Sequence, residues 1–213
     1  MPHKRFAEMD IERREAILAA AAAEFAERGY EAGSLNRIIA HAGISKGILY
    51  YYFEDKADLF ATVVEQATTH LLEDAGLPAP EDLSADNFWN GLRDLMRRSV
   101  ELLDSDRWYV QLARAAPRFR QEAASREAIR AVADRGRNQF SNLVVRGQEL
   151  EVVRRDLPLP LLVDAAMAVD EAGERWLLEH WDELSPEERG DLTDAAMDLI
   201  RDMLHAKNEG WEE

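Results

Sequence analysis

Hydrophobic residues recur along this chain at three- and four-residue intervals, and no stretch sustains the strict alternation of a half-buried strand. Ile17, Leu18, Ala21 and Phe25 fall on one face of a first helix, capped by Asp10, that Gly29 ends after about Arg28. Ser34 caps a short second helix reaching His41, and Gly43 breaks it. Ser45 caps a third short helix carrying Ile48, Leu49 and Tyr52, and Asp55 opens a long fourth from Lys56 to about Asp74. A loop over Gly76–Ser84 follows. Further helices are predicted at about 85–104, 106–116, 120–150, 159–181 and 186–207, punctuated by Pro117, Pro158, Pro160 and Pro186. The last has the strongest start: Ser185 as cap, Pro186 at the first helical position and Glu188 reaching back. The pattern predicts an all-α protein, with a small three-helix head over residues 1–55 and a larger helical body over 56–213.

Composition narrows what such a protein does. The 213 residues are 46% hydrophobic and 32% charged, as in globular chains rather than disordered ones. No apolar run approaches the ~18 residues of a membrane span, and the polar stretch Met1–Asp10 has no apolar signal-peptide core. With no cysteine, disulfides, thiolate metal sites and cysteine nucleophiles are excluded. A cytoplasmic location is the expectation. The five histidines (His3, His41, His70, His180, His205) are scattered without metal-ligand spacing, and neither a phosphate-cradling glycine loop nor a nucleophile elbow is present. The sequence therefore points to no enzyme, metal or cofactor.

A net charge of −16 opposes nucleic-acid binding at first sight. Its distribution is less hostile. Residues 1–60 hold eight Lys/Arg against ten Asp/Glu, so nearly all the excess lies beyond the head. Charge alone leaves DNA binding undecided.

The informative stretch runs from Ser34 to Phe53. Two helices of about two turns each are unstable alone and must pack on one another and on the first helix, as a helix-turn-helix does. Such a unit needs a turn residue tolerant of positive φ, supplied by Gly43, a small residue at the crossing, Ala42, and inward apolar groups, Ile38, Ile44 and Leu49. Its second helix lies in the major groove with its early residues nearest the base edges. Lys46 there has a guanine or phosphate within reach, Gly47 lets backbone approach closely, and Ile48 can meet a thymine methyl. Tyr50 and Tyr51 project outward while Tyr52 and Phe53 turn in; three successive helical residues cannot all face one core. The alternative for Lys46 and Lys56 is a solvated surface lysine, and Lys4-Arg5 is either a frayed tail or a minor-groove arm.

These residues resemble the TetR family of transcriptional regulators. The likeness is carried by Ile17, Ala20-Ala21, Phe25, Gly29-Tyr30, Ser34, Ile38, Ala42-Gly43-Ile44-Ser45, Gly47, Leu49-Tyr50, Tyr52-Phe53, Lys56 and Leu59, over roughly residues 11–60 without a gap. It implies a homodimer on a palindromic double-stranded operator, a body that binds an inducer, and DNA contacts from Ser34, Asn36, Arg37, Ser45, Lys46, Gly47, Ile48, Tyr50, Tyr51 and Lys56. Three positions depart from the family pattern. Gly33 stands where Thr is frequent, removing a phosphate-contacting hydroxyl, and Ile39 and His41 replace common alanines.

In the body, Trp89, Met96, Trp108, Gln111, Phe140, Met167 and Trp176 are the expected pocket for a small apolar or amphipathic effector; the same aromatics also suit an ordinary core. Arginines concentrated between Arg107 and Arg137 fit either an anionic ligand or a solvated face paired with acids. The last two helices carry apolar, small-residue stripes. Leu162, Ala166, Ala172, Leu192, Ala195 and Leu199 are the expected dimer interface. The sequence reading is thus a ligand-responsive repressor. The alternatives are an activator of the same fold, or a helical ligand-binding or interaction protein that has lost DNA binding.

Overall fold

The computed structural model describes residues 4–206, and side chains from Phe6 to Ala206. The side chains of Lys4 and Arg5, His3, and the last residue of the 186–207 helix lie outside that range. Among the described residues all regular structure is helical, apart from one isolated bridge between Val153 and His205. The helices are α1 (Lys4–Ala7), α2 (Ile11–Ala32), α3 (Leu35–His41), α4 (Lys46–Tyr52), α5 (Lys56–Ala75), α6 (Phe88–Leu102), α7 (Trp108–Arg114), α8 (Ala116–Gln121), α9 (Ala123–Ala128), α10 (Arg130–Glu149), α11 (Leu159–Glu179) and α12 (Pro186–Leu204). Single turns of 3-10 helix lie at Pro80–Asp82 and Trp181–Glu183.

The described residues fold into two compact units, 4–74 with 102–134, and 75–101 with 135–206. In the first, Asp10 accepts from the Arg13 amide at the start of α2, and the helix buries Ile17, Leu18, Ala21, Ala22 and Phe25. This is the apolar stripe of an amphipathic helix. At Gly29 the backbone leaves helical geometry (φ 78°, ψ 173°), so the expected stop is a kink, followed by one more turn to Ala32. The single helix expected over 120–150 is broken at Glu122, which is extended, and again at Ile129. The first break has a chemical cause. The Glu122 carboxylate accepts from the Tyr30 amide at 3.2 Å and from the Ser125 hydroxyl at 2.9 Å. Arg118 donates to the carbonyls of Glu27 and Arg28 at 3.2 and 2.9 Å. Backbone groups that the kink leaves without helical partners are thereby satisfied from α8 and its C-terminal cap.

In the second unit a core of Leu83, Phe88, Leu143, Val144, Val153, Leu162, Val163, Ala166, Ile200 and Leu204 is closed around α10, α11 and α12. Gly147 permits the closest approach within it; a Cβ there would sit 2.4 Å from Val153 and 2.7 Å from Phe88. Arg93 bridges α6 to α12 through Asp198 at 2.6 Å and Asp194 at 3.3 Å. The Ser185–Glu188 capping box at the head of α12 forms in both directions.

Candidate nucleic-acid interface

Two seven-residue helices, α3 and α4, form the candidate reading unit. Ser34 caps α3, accepting from the Arg37 amide, and Ser45 caps α4, accepting from the Ile48 amide at 3.3 Å. Between them Gly43 adopts φ +63° with open space where a Cβ would be, so its requirement is for backbone conformation. Ile38, Ile44, Leu49 and Phe53 are buried and hold the pair down. What α4 leaves outside is a stripe of Lys46, Gly47, Tyr50 and Tyr51, with the two tyrosines 48% and 55% exposed. The Lys46 ammonium stands 5.7 Å from the Tyr50 ring centroid and has no hydrogen bond or ion pair among the described residues. Nothing but the Ser45 hydroxyl, at 3.9 Å, approaches the position of a Gly47 Cβ. Ile48 is half-buried beside this stripe, and Asn36 is exposed on α3.

Other expected DNA contacts are occupied by the protein itself. Arg37 grips Glu24 through Nε at 2.9 and 3.0 Å and Nη2 at 2.6 Å, and also donates to the Ala32 carbonyl. Glu24, only 3% exposed, accepts in addition from the Ser34 amide at 2.8 Å. Its hydrogen bonds to Arg37 hold the carboxyl below the ordinary glutamate range, outweighing the opposing effect of burial, with the Ser34 amide and the nearby Arg28 charge adding to the shift. This three-way contact fixes α3 on α2. Lys56 likewise donates to the carbonyls of Glu31 and Gly33, at 2.9 and 3.4 Å, and lies 4.8 Å from the Tyr30 ring centroid. Sequence patterning gave no sign of either arrangement, because Ser34 and Arg37 lie 10 and 13 residues from Glu24, and Lys56 lies 25 and 23 residues from its acceptors. The one available signal was an acid within the apolar face of α2. Gly33 has a steric reason as well: a Cβ there would stand 2.8 Å from the Phe25 ring, so the hydroxyl-bearing side chain frequent in the family does not fit.

A pH prediction follows from the Glu24 shift. A carboxyl whose folded pKa is lowered adds stability above its unfolded pKa and loses it as pH falls through the folded value. Thermal melts of the wild type and Glu24→Gln should therefore differ most near neutrality and converge in acid. A gap that stays constant into acid would refute the role assigned to this carboxylate.

The expected effector residues are divided between the two units. Trp108 and Gln111 belong to α7 of the first unit, where the Trp108 indole donates to Glu15 at 2.8 Å. Trp89, Met96, Phe140 and Met167 pack half-buried against the core of the second unit, and Trp176 is 45% exposed. The Trp89 indole nitrogen is buried without an acceptor. Two open hollows of about 310 and 410 Å³ flank α10, lined in part by Asn142, Arg146 and Glu149 and by Gln148, Arg155 and Leu157; neither is lined by the expected aromatic or methionine residues. The arginine concentration is spent on protein groups. Arg107 pairs with Asp74, Arg114 donates to the Leu103 carbonyl, Arg126 to those of Arg120 and Gln121, Arg130 pairs with Glu127 and Arg137 with Asp164.

Of the expected dimer residues, Leu162 and Ala166 are in the core of their own subunit, at 1% and 0% exposure, and present nothing to a partner. Ala172, Ala195 and Leu199 are exposed and Leu192 is half-buried. Helix α11 carries two apolar faces one residue apart, and the sequence stripe merged them. The outward one runs through Leu161, Ala168, Ala172 and Trp176. Among the described residues no helix is long and apolar enough to cross a membrane, and no three His, Asp or Glu side chains could share a metal ion.

Residues 17–63 match the N-terminal domain model described as bacterial regulatory proteins, tetR family. Over 56 residues the chain is 45% identical to the transcriptional repressor BepR of Brucella suis, a likeness spanning 26% of this chain and 27% of that protein. It is 28% identical to the repressor SCO4008 of Streptomyces coelicolor over 88% of both chains. In fold it is similar to the regulator FadR of Bacillus subtilis in complex with stearoyl-CoA, at a TM-score of 0.67 and 18% identity, covering 89% of this chain and 98% of that one. The helix-turn-helix at its head is thus similar to the N-terminal domain of the TetR family of transcriptional regulators, and the chain spans between 27% and 38% of the length of the first curated relatives it matches.

Proposed function

We propose that the chain is a cytoplasmic transcriptional repressor that binds a palindromic operator as a homodimer and releases it on binding a small apolar or amphipathic effector. The observation that carries the DNA-binding part is the open stripe of Lys46, Gly47, Tyr50 and Tyr51 along α4, on a reading unit pinned by Ser34, Glu24 and Arg37. An exposed lysine beside a glycine and two tyrosines supplies a donor, close backbone approach and flat apolar edges to a groove. Asn36, Ile48 and Ser45 flank this stripe as further candidates for contact. Arg37 and Lys56 act as positioning residues, since their donors are already on protein acceptors.

Repression is favoured because BepR and SCO4008 carry that description. The stearoyl-CoA on FadR supports an effector with a long apolar part, and the unpartnered Trp89 indole N–H offers it one donor. The effector acts by linkage, favouring a state that DNA does not.

The test is selection of bound fragments from genomic DNA followed by footprinting. Two symmetric half-sites about one helical turn apart, or a multiple of that, are expected. Gly47→Ala should leave the melting temperature nearly unchanged, because the added methyl meets only the Ser45 hydroxyl, yet weaken operator binding at least tenfold. Operator binding that survives this substitution intact would place the reading face elsewhere.

A further inference from the structure

Helices α8 and α9 meet on either side of one residue, Glu122, whose backbone is extended (φ −77°, ψ 122°). Nothing in the local sequence breaks a helix there. Residues 118–128 contain neither glycine nor proline and are mostly strong helix formers. The break stands instead on side chains that replace backbone bonds. Arg126 donates to the carbonyls of Arg120 and Gln121, at 2.7 and 3.1 Å. In a continuous helix those carbonyls would accept from the amides of Ala124 and Ser125, four residues on. The first turn of α9 has no side-chain cap. Glu122 also ties this break to the kink at Gly29. Its carboxylate accepts from the Tyr30 amide and lies 3.4 Å from Arg118, which donates to the carbonyls of Glu27 and Arg28. The turn so held ends at Ala32, whose carbonyl accepts from Arg37 of α3. Each break therefore satisfies backbone groups that the other exposes.

We infer that residues 116–128 are a helix-break switch that sets operator affinity. In the broken form, Glu122 and Arg118 hold the last turn of α2, and through it α3, in the geometry that meets DNA. In a continuous form, the Ala124 and Ser125 amides return to the Arg120 and Gln121 carbonyls, residue 122 turns helical, and the Tyr30 amide is released. Both forms satisfy the backbone groups around residue 122, so few contacts separate them and the balance is open to control. This role rests on the DNA-binding reading of α3 and α4.

The experiment uses the full-length chain with Glu122→Ala, with Ala123→Pro and with both together. Ala123 is exposed at the first position of α9, where proline is tolerated, and Glu122 already has the extended conformation that precedes proline. Inside a continuous helix the same proline would remove a hydrogen bond and clash with the preceding turn. Ala123→Pro therefore admits the broken form alone, whereas Glu122→Ala removes its anchor. In amide-resolved hydrogen exchange, Glu122→Ala should make Tyr30 exchange roughly tenfold faster, and Ala124 and Ser125 roughly tenfold slower. Simple loosening would speed all three. Operator affinity should fall about tenfold in Glu122→Ala and recover roughly threefold or more when Ala123→Pro is added. Ala123→Pro alone should melt and bind operator as the wild type does. The switch is overturned by full operator affinity in Glu122→Ala, by three amides that all speed up, or by no recovery in the double variant. A lowered melting temperature in Ala123→Pro overturns it too, since the break would then be absent in solution. A wild type that binds no operator overturns the DNA-binding reading instead, and the exchange rates still decide whether the helix breaks and joins.

Discussion

Lys46→Ala is expected to cost about 1–3 kcal/mol of operator binding, five- to 150-fold in affinity, and to relax the preference at one base pair of each half-site. The ammonium has no hydrogen-bonding partner among the described residues and sits on the exposed face of the first turn of α4. Gly47 beside it removes the side chain that would hold the helix off the groove. A phosphate-binding lysine would leave a different signature, weakening all sequences equally and lowering the salt slope by about 0.9 per subunit. Fluorescence anisotropy against the operator and its single-base variants separates the two. Lys56→Ala makes the comparison sharper. Its amine holds the carbonyls of Glu31 and Gly33, so it should lower thermal stability and weaken DNA binding without altering base preference. Full operator affinity and unchanged preferences in Lys46→Ala would remove α4 from the role of reader.

Leu199→Glu is expected to turn the proposed homodimer into a monomer at micromolar concentration. Leu199 is 64% exposed on α12, and Ala195 lies one turn before it. On α11, Leu161, Ala168, Ala172 and Trp176 expose a second apolar row. Two apolar helices per subunit suit a four-helix interface between copies. Two-fold symmetry introduces the substitution twice, and each unpaired carboxylate buried there costs about 3 kcal/mol or more. Sedimentation would show the monomer, with operator affinity falling to that of a single half-site. Because Leu199 contributes little to its own subunit's core, the folded helical content should persist. A dimer that withstands this change would exclude Leu199 from the interface.

The helical pattern, the caps at Asp10, Ser34, Ser45 and Ser185, and the turn at Gly43 were legible because each is encoded within four residues of where it acts. The outward direction of Tyr50 and Tyr51 was legible from the angle between consecutive helical residues. Long-range polar contacts were not. Arg37 and Lys56 look like surface cations in a one-dimensional pattern, and only the fold brings Glu24 and the α2 carbonyls to them. The α11 stripe failed for another reason. A helix whose small residues occupy both an inner and an outer face presents one broad stripe, and periodicity does not say which half meets solvent. The break at Glu122 was missed because local propensity favours helix there, and a tertiary bond to the Tyr30 amide overrides it.

The kink at Gly29 bears on the building of chimaeric regulators, in which a reading head of one specificity is joined to a sensor of another. A graft of residues 1–55 alone would leave behind the carboxylate that satisfies the Tyr30 amide and the guanidinium that satisfies the Glu27 and Arg28 carbonyls. It would also lose the acceptor relationship between Glu15 and Trp108, and the packing of Phe119 on Phe60 just past the cut. A recipient offering other side chains at positions 118 and 122 would receive a head with the right recognition residues and an unsupported final turn of α2, the turn that leads directly into α3. A swap that carries the segment 102–134 together with the head keeps these contacts, and should hold the final turn of α2 where it is.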